Sequence, residues 1–278
     1  MKDLMSKYID KEETDLANEV ALLKNKGINP ELYILTDGKD ERCNAYMRSK
    51  LKKAEKLGIL ATVKTFESTE ELSELIAHCY MNKKCTILQK PIAKEYEVVY
   101  NSDDFAKHTD VDGFFTQERY FNKDWDVAPA TPKGILNFIL DSNGLDLDCR
   151  DKSLVIIGRG DLVGKPMSVM ALPEFGSVTI LTSKTPKEVR KFALMSADVV
   201  VLSSGVKGSV KSTELDQRKS VYIFNVGTIL DDKGKLCMEL DVDIENERHH
   251  ISPRIGGVGI LTVLSLMDSV INKYKEEE

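Results

Sequence analysis

Short apolar, β-branched runs alternate with longer segments of helical periodicity along most of this chain, and that alternation restricts the fold more than any other feature. Residues 31–36, 60–66 and 85–88 read as strands, whereas 10–26, 42–57 and 70–80 carry apolar positions at helical spacing. Asp10 and Glu13 form a helix-start signal, and Gly27 with Pro30, then Gly58, mark helix ends. Residues 103–132 are rich in Asp, Phe and Pro, hold the one tryptophan (Trp125) and lack a clean period, so they predict an ordered loop region leading into a helix over 133–143. The alternation then restarts, with strands at 153–157, 177–182, 199–203 and 220–225, helices at 163–172 and 186–196, and a final helix over 261–274. Strands separated by helices of this length form parallel sheets through right-handed crossovers. The expectation is an α/β protein of two α/β units with a break near residue 130.

Composition narrows the function classes. The 278 residues include 39 Lys or Arg against 45 Asp or Glu, a formal charge of −6. Duplex nucleic acid and anionic membrane surfaces recruit net positive charge, so neither is an expected partner. No run approaches the roughly 20 apolar residues of a membrane span. The start, Met1-Lys2-Asp3-Leu4-Met5-Ser6, lacks the apolar stretch of a secretory signal. Five scattered cysteines without a Cys-x-x-Cys pair fit reduced thiols in a cytosolic protein. His78, His108, His249 and His250 lack ligand spacing, so no metal site is expected.

The sharpest local feature is Leu154-Val155-Ile156-Ile157-Gly158-Arg159-Gly160-Asp161-Leu162-Val163-Gly164, a buried parallel strand feeding a glycine turn that opens a helix. Glycine admits positive φ and close approach to a pyrophosphate, and a helix N-terminus offers free N–H groups. The spacing is Gly-x-Gly-x-x-x-Gly, with Val163 where the usual third glycine of a dinucleotide turn falls. Such turns also occur for purely geometric reasons. The next strand ends in Thr182-Ser183-Lys184-Thr185, without the carboxylate that usually holds a free ribose 2′-hydroxyl. Ser183, Lys184 and Thr185, together with the planar fork of Arg159, suit a 2′-phosphate and hence NADP over NAD. The alternative for Lys184 and Arg159 is a plain solvated surface.

In the first unit, Tyr46 and Lys50 lie four apart on one predicted helix face, a spacing most often found on a solvated surface. Gln89 follows a predicted buried strand, and Asp112 lies in Asp110-Val111-Asp112-Gly113-Phe114. The ends where parallel strands run into helices form the ligand crevice of such sheets, and Gln89 falls on that edge.

These residues resemble the bifunctional methylenetetrahydrofolate dehydrogenase/cyclohydrolases of one-carbon metabolism, from Tyr33 to about Met267. Tyr46-Met47-Arg48-Ser49-Lys50 is similar to the family's Tyr-x-x-x-Lys helix, and Leu88-Gln89-Lys90-Pro91-Ile92 to its Gln-Leu-Pro-Leu-Pro turn. Asp110-Val111-Asp112-Gly113 matches its Asp-Val-Asp-Gly motif, and Pro129-Ala130-Thr131-Pro132-Lys133-Gly134 its Pro-Cys-Thr-Pro-x-Gly. The unusual glycine spacing at 158–164 is the family's, and Gly256-Gly257-Val258-Gly259-Ile260-Leu261-Thr262 resembles Gly-Gly-Val-Gly-Pro-Met-Thr. Lys90 replaces an apolar residue, Ala130 a cysteine and Gly160 a serine; Ile92, Ile255 and Ile260 fall where prolines or leucines are commoner, and 115–128 looks shortened. Lys90 matters most, as a cation added beside Gln89.

The resemblance implies two α/β lobes around a cleft. Residues 1–128, completed by a C-terminal helix at 260–278, would be the folate-binding catalytic domain, and 129–259 a Rossmann-type NADP-binding domain. It implies NADP-dependent oxidation of 5,10-methylenetetrahydrofolate to the 5,10-methenyl form, then hydrolysis to 10-formyltetrahydrofolate for uses such as purine biosynthesis. Lys50 would move protons in the hydrolysis, Gln89 would hold it, Tyr46 would stack on the folate ring and Asp112 would accept hydrogen bonds from the pterin. Gly256, Gly257 and Thr262 would border the substrate, while Gly158, Arg159, Gly160, Val163, Gly164, Ser183, Lys184 and Thr185 would bind NADP. A cytoplasmic homodimer, paired through the cofactor domain, completes the expectation. Three other readings stay open: a related Rossmann dehydrogenase on another small substrate, a family member with one of the two activities, and a non-catalytic nucleotide sensor. The last would ordinarily need a basic DNA-binding module, and no helix-turn-helix is recognisable.

Overall fold

Aliphatic runs form the strands, as their burial demands. In the computed structural model, which describes residues 1–276 except 40, 116–123, 228, 231–235 and 243–245, the chain divides into two units. The first comprises Asp10–Ala130 and Val263–Glu278, the second Met1–Ile9 and Thr131–Thr262.

The first unit contains a parallel sheet of β1 (Glu31–Thr36), β2 (Leu60–Thr65) and β3 (Cys85–Leu88) in the order β2-β1-β3. β3 is buried along its whole length, whereas the edge strand β2 is half-exposed. Around the sheet run α2 (Glu41–Leu57), α3 (Thr69–Met81), α4 (Lys94–Ser102) and α5 (Asp104–Thr109). Leu35, Phe66, Leu72, Ile76, Leu88, Tyr96 and Tyr100 form one buried cluster.

α1 (Lys2–Asn25) starts in the second unit and continues in the first. It begins well before the expected Asp10 because Met5, Tyr8 and Ile9 extend its buried apolar stripe, and nothing ahead of Asp10 breaks a helix. Lys53 and Lys56 of α2 both ion-pair with Glu13 of α1. The stretch read as loop holds α5, whose N-cap Asp103 accepts from Phe105 N (2.8 Å) and Ala106 N (3.1 Å). A helix of 6 residues is too short to show a period, which is why the sequence hides it. The shortening noted at 115–128 falls mostly on 116–123, outside the described residues.

The second unit holds five parallel strands, β4 (Ser153–Ile157), β5 (Ser177–Leu181), β6 (Val199–Leu202), β8 (Val221–Asn225) and β12 (His249–Ile251), in the order β12-β8-β6-β4-β5. Its helices include α6 (Ala130–Leu140), α7 (Gly164–Ala171) and α8 (Lys187–Ser196). The short strands β7 (Val210–Lys211), β9 (Ile229–Leu230), β10 (Leu236–Cys237) and β11 (Leu240–Asp241) form two small pairs. From β4 the chain winds outward to β5, then returns past β4 to β6, so the strand order reverses between β4 and β6. That reversal is the switch point at which doubly wound sheets bind ligands. α9 (Val258–Lys275) starts three residues ahead of the expected 261 and ends in the first unit, where Tyr274 OH donates to Lys83 O (3.0 Å).

Candidate functional site

In the first unit the β1–β3 ladder ends at Leu35–Leu88, and Gln89 N–H still donates to Leu35 O (2.8 Å). Gln89 is therefore fixed at the carboxyl edge of the sheet, and it is buried. Its Nε2 donates to Lys90 O (2.7 Å), which turns Oε1 toward α2, where it accepts from Lys50 Nζ at 3.0 Å. One helical turn before Lys50, Tyr46 is 49% exposed.

The Asp110–Phe114 turn is anchored by Asp110 and not by Asp112. Tyr100 OH donates to Asp110 Oδ1 (3.0 Å), while Gly113 N and Phe114 N donate to Oδ2 (2.9 and 3.2 Å). Thr86 of β3 joins the network through Tyr100 OH (3.0 Å) and Thr109 (2.9 Å), and its carbonyl accepts from Val111 N (3.0 Å). Burial, reinforced by the neighbouring Asp112 charge, pushes Asp110 up to about 7. The Tyr100 phenol is driven well above its usual range, chiefly by burial and then by Asp110. With Asp110 absorbed by the turn, Asp112 keeps its carboxylate outside that network. Burial raises the pKa of Asp112, and the Lys50 and Lys90 charges oppose the rise. Lys90 Nζ ion-pairs with Glu97 of α4 and lies 4.8 Å from the centroid of the Phe114 ring.

In the second unit, a pocket of about 440 Å³ opens at the switch point, lined by the carboxyl ends of β4, β5 and β6. Gly158 has φ +106°, and a Cβ there would stand 2.7 Å from Ser203 O, so only glycine lets the β4 and β6 ends approach. A Cβ on Gly164 would collide with Gly158 O, which makes Gly164 a packing residue of the turn. Above Gly160 nothing lies within 4 Å, so the turn leaves room there for a serine or for a bound group. Arg159, Gly160, Ser183 and Lys184 line the pocket. Val163 precedes α7 and accepts from Met167 N (2.8 Å), and Thr185 Oγ1 accepts from Thr182 N (2.9 Å); both shape turns and neither lines the pocket.

Arg190 also belongs to this pocket, and Glu239 supports it from behind. Arg190 lines it and is held by Glu214 (Nε–Oε1 2.9 Å) and Ser209 O (2.6 Å). Buried Glu239 accepts from Ser204 N (2.9 Å), Ser204 Oγ (2.6 Å) and Gly205 N (2.9 Å), fixing the loop after β6. Gly256 has φ +80°, a Cβ on Gly257 would collide with Pro253 O, and Thr262 Oγ1 meets Thr131 Oγ1 at 3.0 Å. Among the described residues, no group of three His, Cys, Asp or Glu side chains could hold a metal ion. Cys79, Cys149 and Cys237 are free, and burial pushes Cys79 up to about 11 and Cys149 up to about 12.

Residues 5–112 match the tetrahydrofolate dehydrogenase/cyclohydrolase catalytic domain, and 129–278 match its NAD(P)-binding domain. The chain belongs to this family. The bifunctional protein FolD of Staphylococcus aureus is 31% identical over 264 residues, 92% of this chain and 90% of that protein. The solved bifunctional FolD dehydrogenase/cyclohydrolase of Campylobacter jejuni is 25% identical, with a TM-score of 0.87 over 99% of each chain. The fold is also that of the Trypanosoma brucei enzyme solved with NADP and an inhibitor, at 23% identity and a TM-score of 0.84 over 97% of this chain and 95% of that one.

Within this tetrahydrofolate dehydrogenase/cyclohydrolase chain, sequence reasoning missed Asp110, Tyr100, Arg190 and Glu239. Asp110 had a visible signal, an acidic residue two before Asp112. The other three act through partners 10 or more residues away, which no local pattern reports.

Proposed function

We propose that this chain oxidises 5,10-methylenetetrahydrofolate with NADP and hydrolyses the methenyl product to 10-formyltetrahydrofolate. The observation that carries this reading is the 3.0 Å bond from Lys50 Nζ to Gln89 Oε1 at the sheet edge, in a unit of this family. Bound NADP supplies the hydride acceptor, and the chain's own part in oxidation is orientation of donor and acceptor. Tyr46 stacks on the folate ring, Asp112 accepts from the pterin N–H groups, and Gly256, Gly257 and Thr262 border the substrate. In hydrolysis, water adds to the methenyl carbon and Lys50 takes one of its protons; Lys50 returns that proton to N5 as the C–N5 bond breaks, and the remaining hydroxyl proton leaves to solvent as the formyl carbonyl forms. Gln89 holds Lys50 in place.

For the cofactor, Gly158, Gly160 and Gly164 form the turn that receives the pyrophosphate, and Val163 and Thr185 shape its surroundings. Arg159, Ser183 and Lys184 face the 2′-phosphate, in a pocket wall without a carboxylate at the end of β5; this supports NADP over NAD. β5 is the edge strand of its sheet and carries exposed Ile180, with Leu172, Val189 and Phe192 also exposed. That apolar edge supports a homodimer paired through the cofactor domain, which a solution mass of one chain would reject. No described helix is long and apolar enough to cross a membrane, and we assign the protein to the cytoplasm on its free thiols and acidic balance.

The test follows methenyltetrahydrofolate by its ultraviolet absorbance, with NADP and then NAD. Turnover with NADP and decay of the methenyl signal are expected. Lys50→Met should cut hydrolysis by roughly a hundredfold or more while NADP still binds. Full hydrolysis by that variant rejects the role of Lys50.

A further inference from the structure

We infer that Lys90 is a positioning residue for the folate site: by bridging the Glu97 carboxylate of α4 and the Phe114 ring, it fixes how the Asp110–Phe114 turn presents Asp112 to the pterin. This inference rests on the functional reading above.

The turn is held at two points. Asp110 ties its inner side to Tyr100, Gly113 N and Phe114 N. Its outer side ends at Phe114, whose ring lies under Lys90 Nζ at 4.8 Å. Lys90 directly follows Gln89, which orients Lys50, so one short segment governs both Lys50 and Asp112. Glu97 balances the Lys90 charge and keeps its head over the ring. An apolar side chain at 90 would leave Glu97 without its lysine partner.

The charged and titratable groups around Asp112 are Lys50 from α2, Lys90 from the turn after β3, Tyr100 from α4 and Asp110 in its own turn, with Glu97 of α4 paired to Lys90. The two lysines favour the Asp112 carboxylate, which is the form that accepts pterin hydrogen bonds. Burial and the neighbouring Asp110 oppose it. Lys90 thus acts by geometry and by charge in the same direction.

The experiment measures kcat and KM for methylenetetrahydrofolate across pH 5.5 to 8.5. In Lys90→Met, KM should rise about fivefold at neutral pH with kcat changed less than about twofold. The acid limb of kcat/KM should also move to higher pH. Lys90→Arg, which keeps a cation for both contacts, should restore both readouts. Glu97→Gln leaves Lys90 uncompensated, so its acid limb should move the opposite way, to lower pH. Unmoved KM and acid limb in Lys90→Met, or shifts of the same sign in Lys90→Met and Glu97→Gln, overturn the inference while the functional reading stands. Absence of turnover in the unmodified protein overturns that reading, and this inference with it.

Discussion

At the scale of residues, a few side chains carry the chemistry and others hold them. The Lys50–Gln89 contact was expected only from the family resemblance, since the Tyr46–Lys50 spacing by itself most often marks a solvated face. Tyr100 and Thr86 gave no such signal, because they reach the Asp110 network from another helix and from a strand. The proposed preference for NADP is tested at this scale too. Arg159 lines the pocket beside Ser183 and Lys184, and a guanidinium–phosphate contact is lost only with a 2′-phosphate. Arg159→Ala should therefore weaken NADP by about tenfold or more and change NAD by less than about twofold. Isothermal titration with both nucleotides checks this, and equal losses would show that Arg159 does not read the 2′-phosphate.

At the scale of elements, turns decide where the edges of the sheets can open. Gly113 has φ +80°, and a Cβ would collide with the Ala128 carbonyl carbon. Gly113→Ala should destabilise the protein by about 2–4 kcal/mol, through both overpacking and an unfavourable backbone conformation. Gly160→Ala meets open space and should change stability by less than about 0.5 kcal/mol; a common denaturation series separates the two. An equally small loss at Gly113 would mean that the turn can move. The longer strands were legible almost to the residue, since buried parallel strands are continuous aliphatic runs, whereas the edge strand β12 and the two-residue strands β7, β9, β10 and β11 were missed because two or three residues carry no run. Helix starts were less so. Asp10 looked like a beginning and proved to be mid-helix, because tertiary burial of Met5, Tyr8 and Ile9 outweighs a local cap signal.

For the molecule as a whole, Asp110 links the site to pH-dependent stability. Its carboxyl titrates near 7 when folded and near 3.9 when unfolded. Between about pH 4 and 7 the folded state thus binds the extra proton, so stability falls as pH rises through that window and levels off above it. Asp110→Asn removes this contribution while keeping an acceptor for Gly113 N and Phe114 N. The urea midpoint of the original protein should drop more steeply from pH 4.5 to 7.5 than that of the variant, and parallel slopes would contradict the raised carboxyl.

The backbone crosses between units within α1, at the start of α6 and within α9, so neither unit is one continuous piece of sequence. A gene fragment stopping at residue 130 would lack Tyr274, whose hydroxyl accepts from Glu31 N at the head of β1 (3.1 Å) and donates to Lys83 O (3.0 Å) just before β3. A nick near residue 130 should therefore yield two halves that are poorly folded alone. Activity would return only on mixing them, which makes this scaffold suited to split-reporter reconstitution.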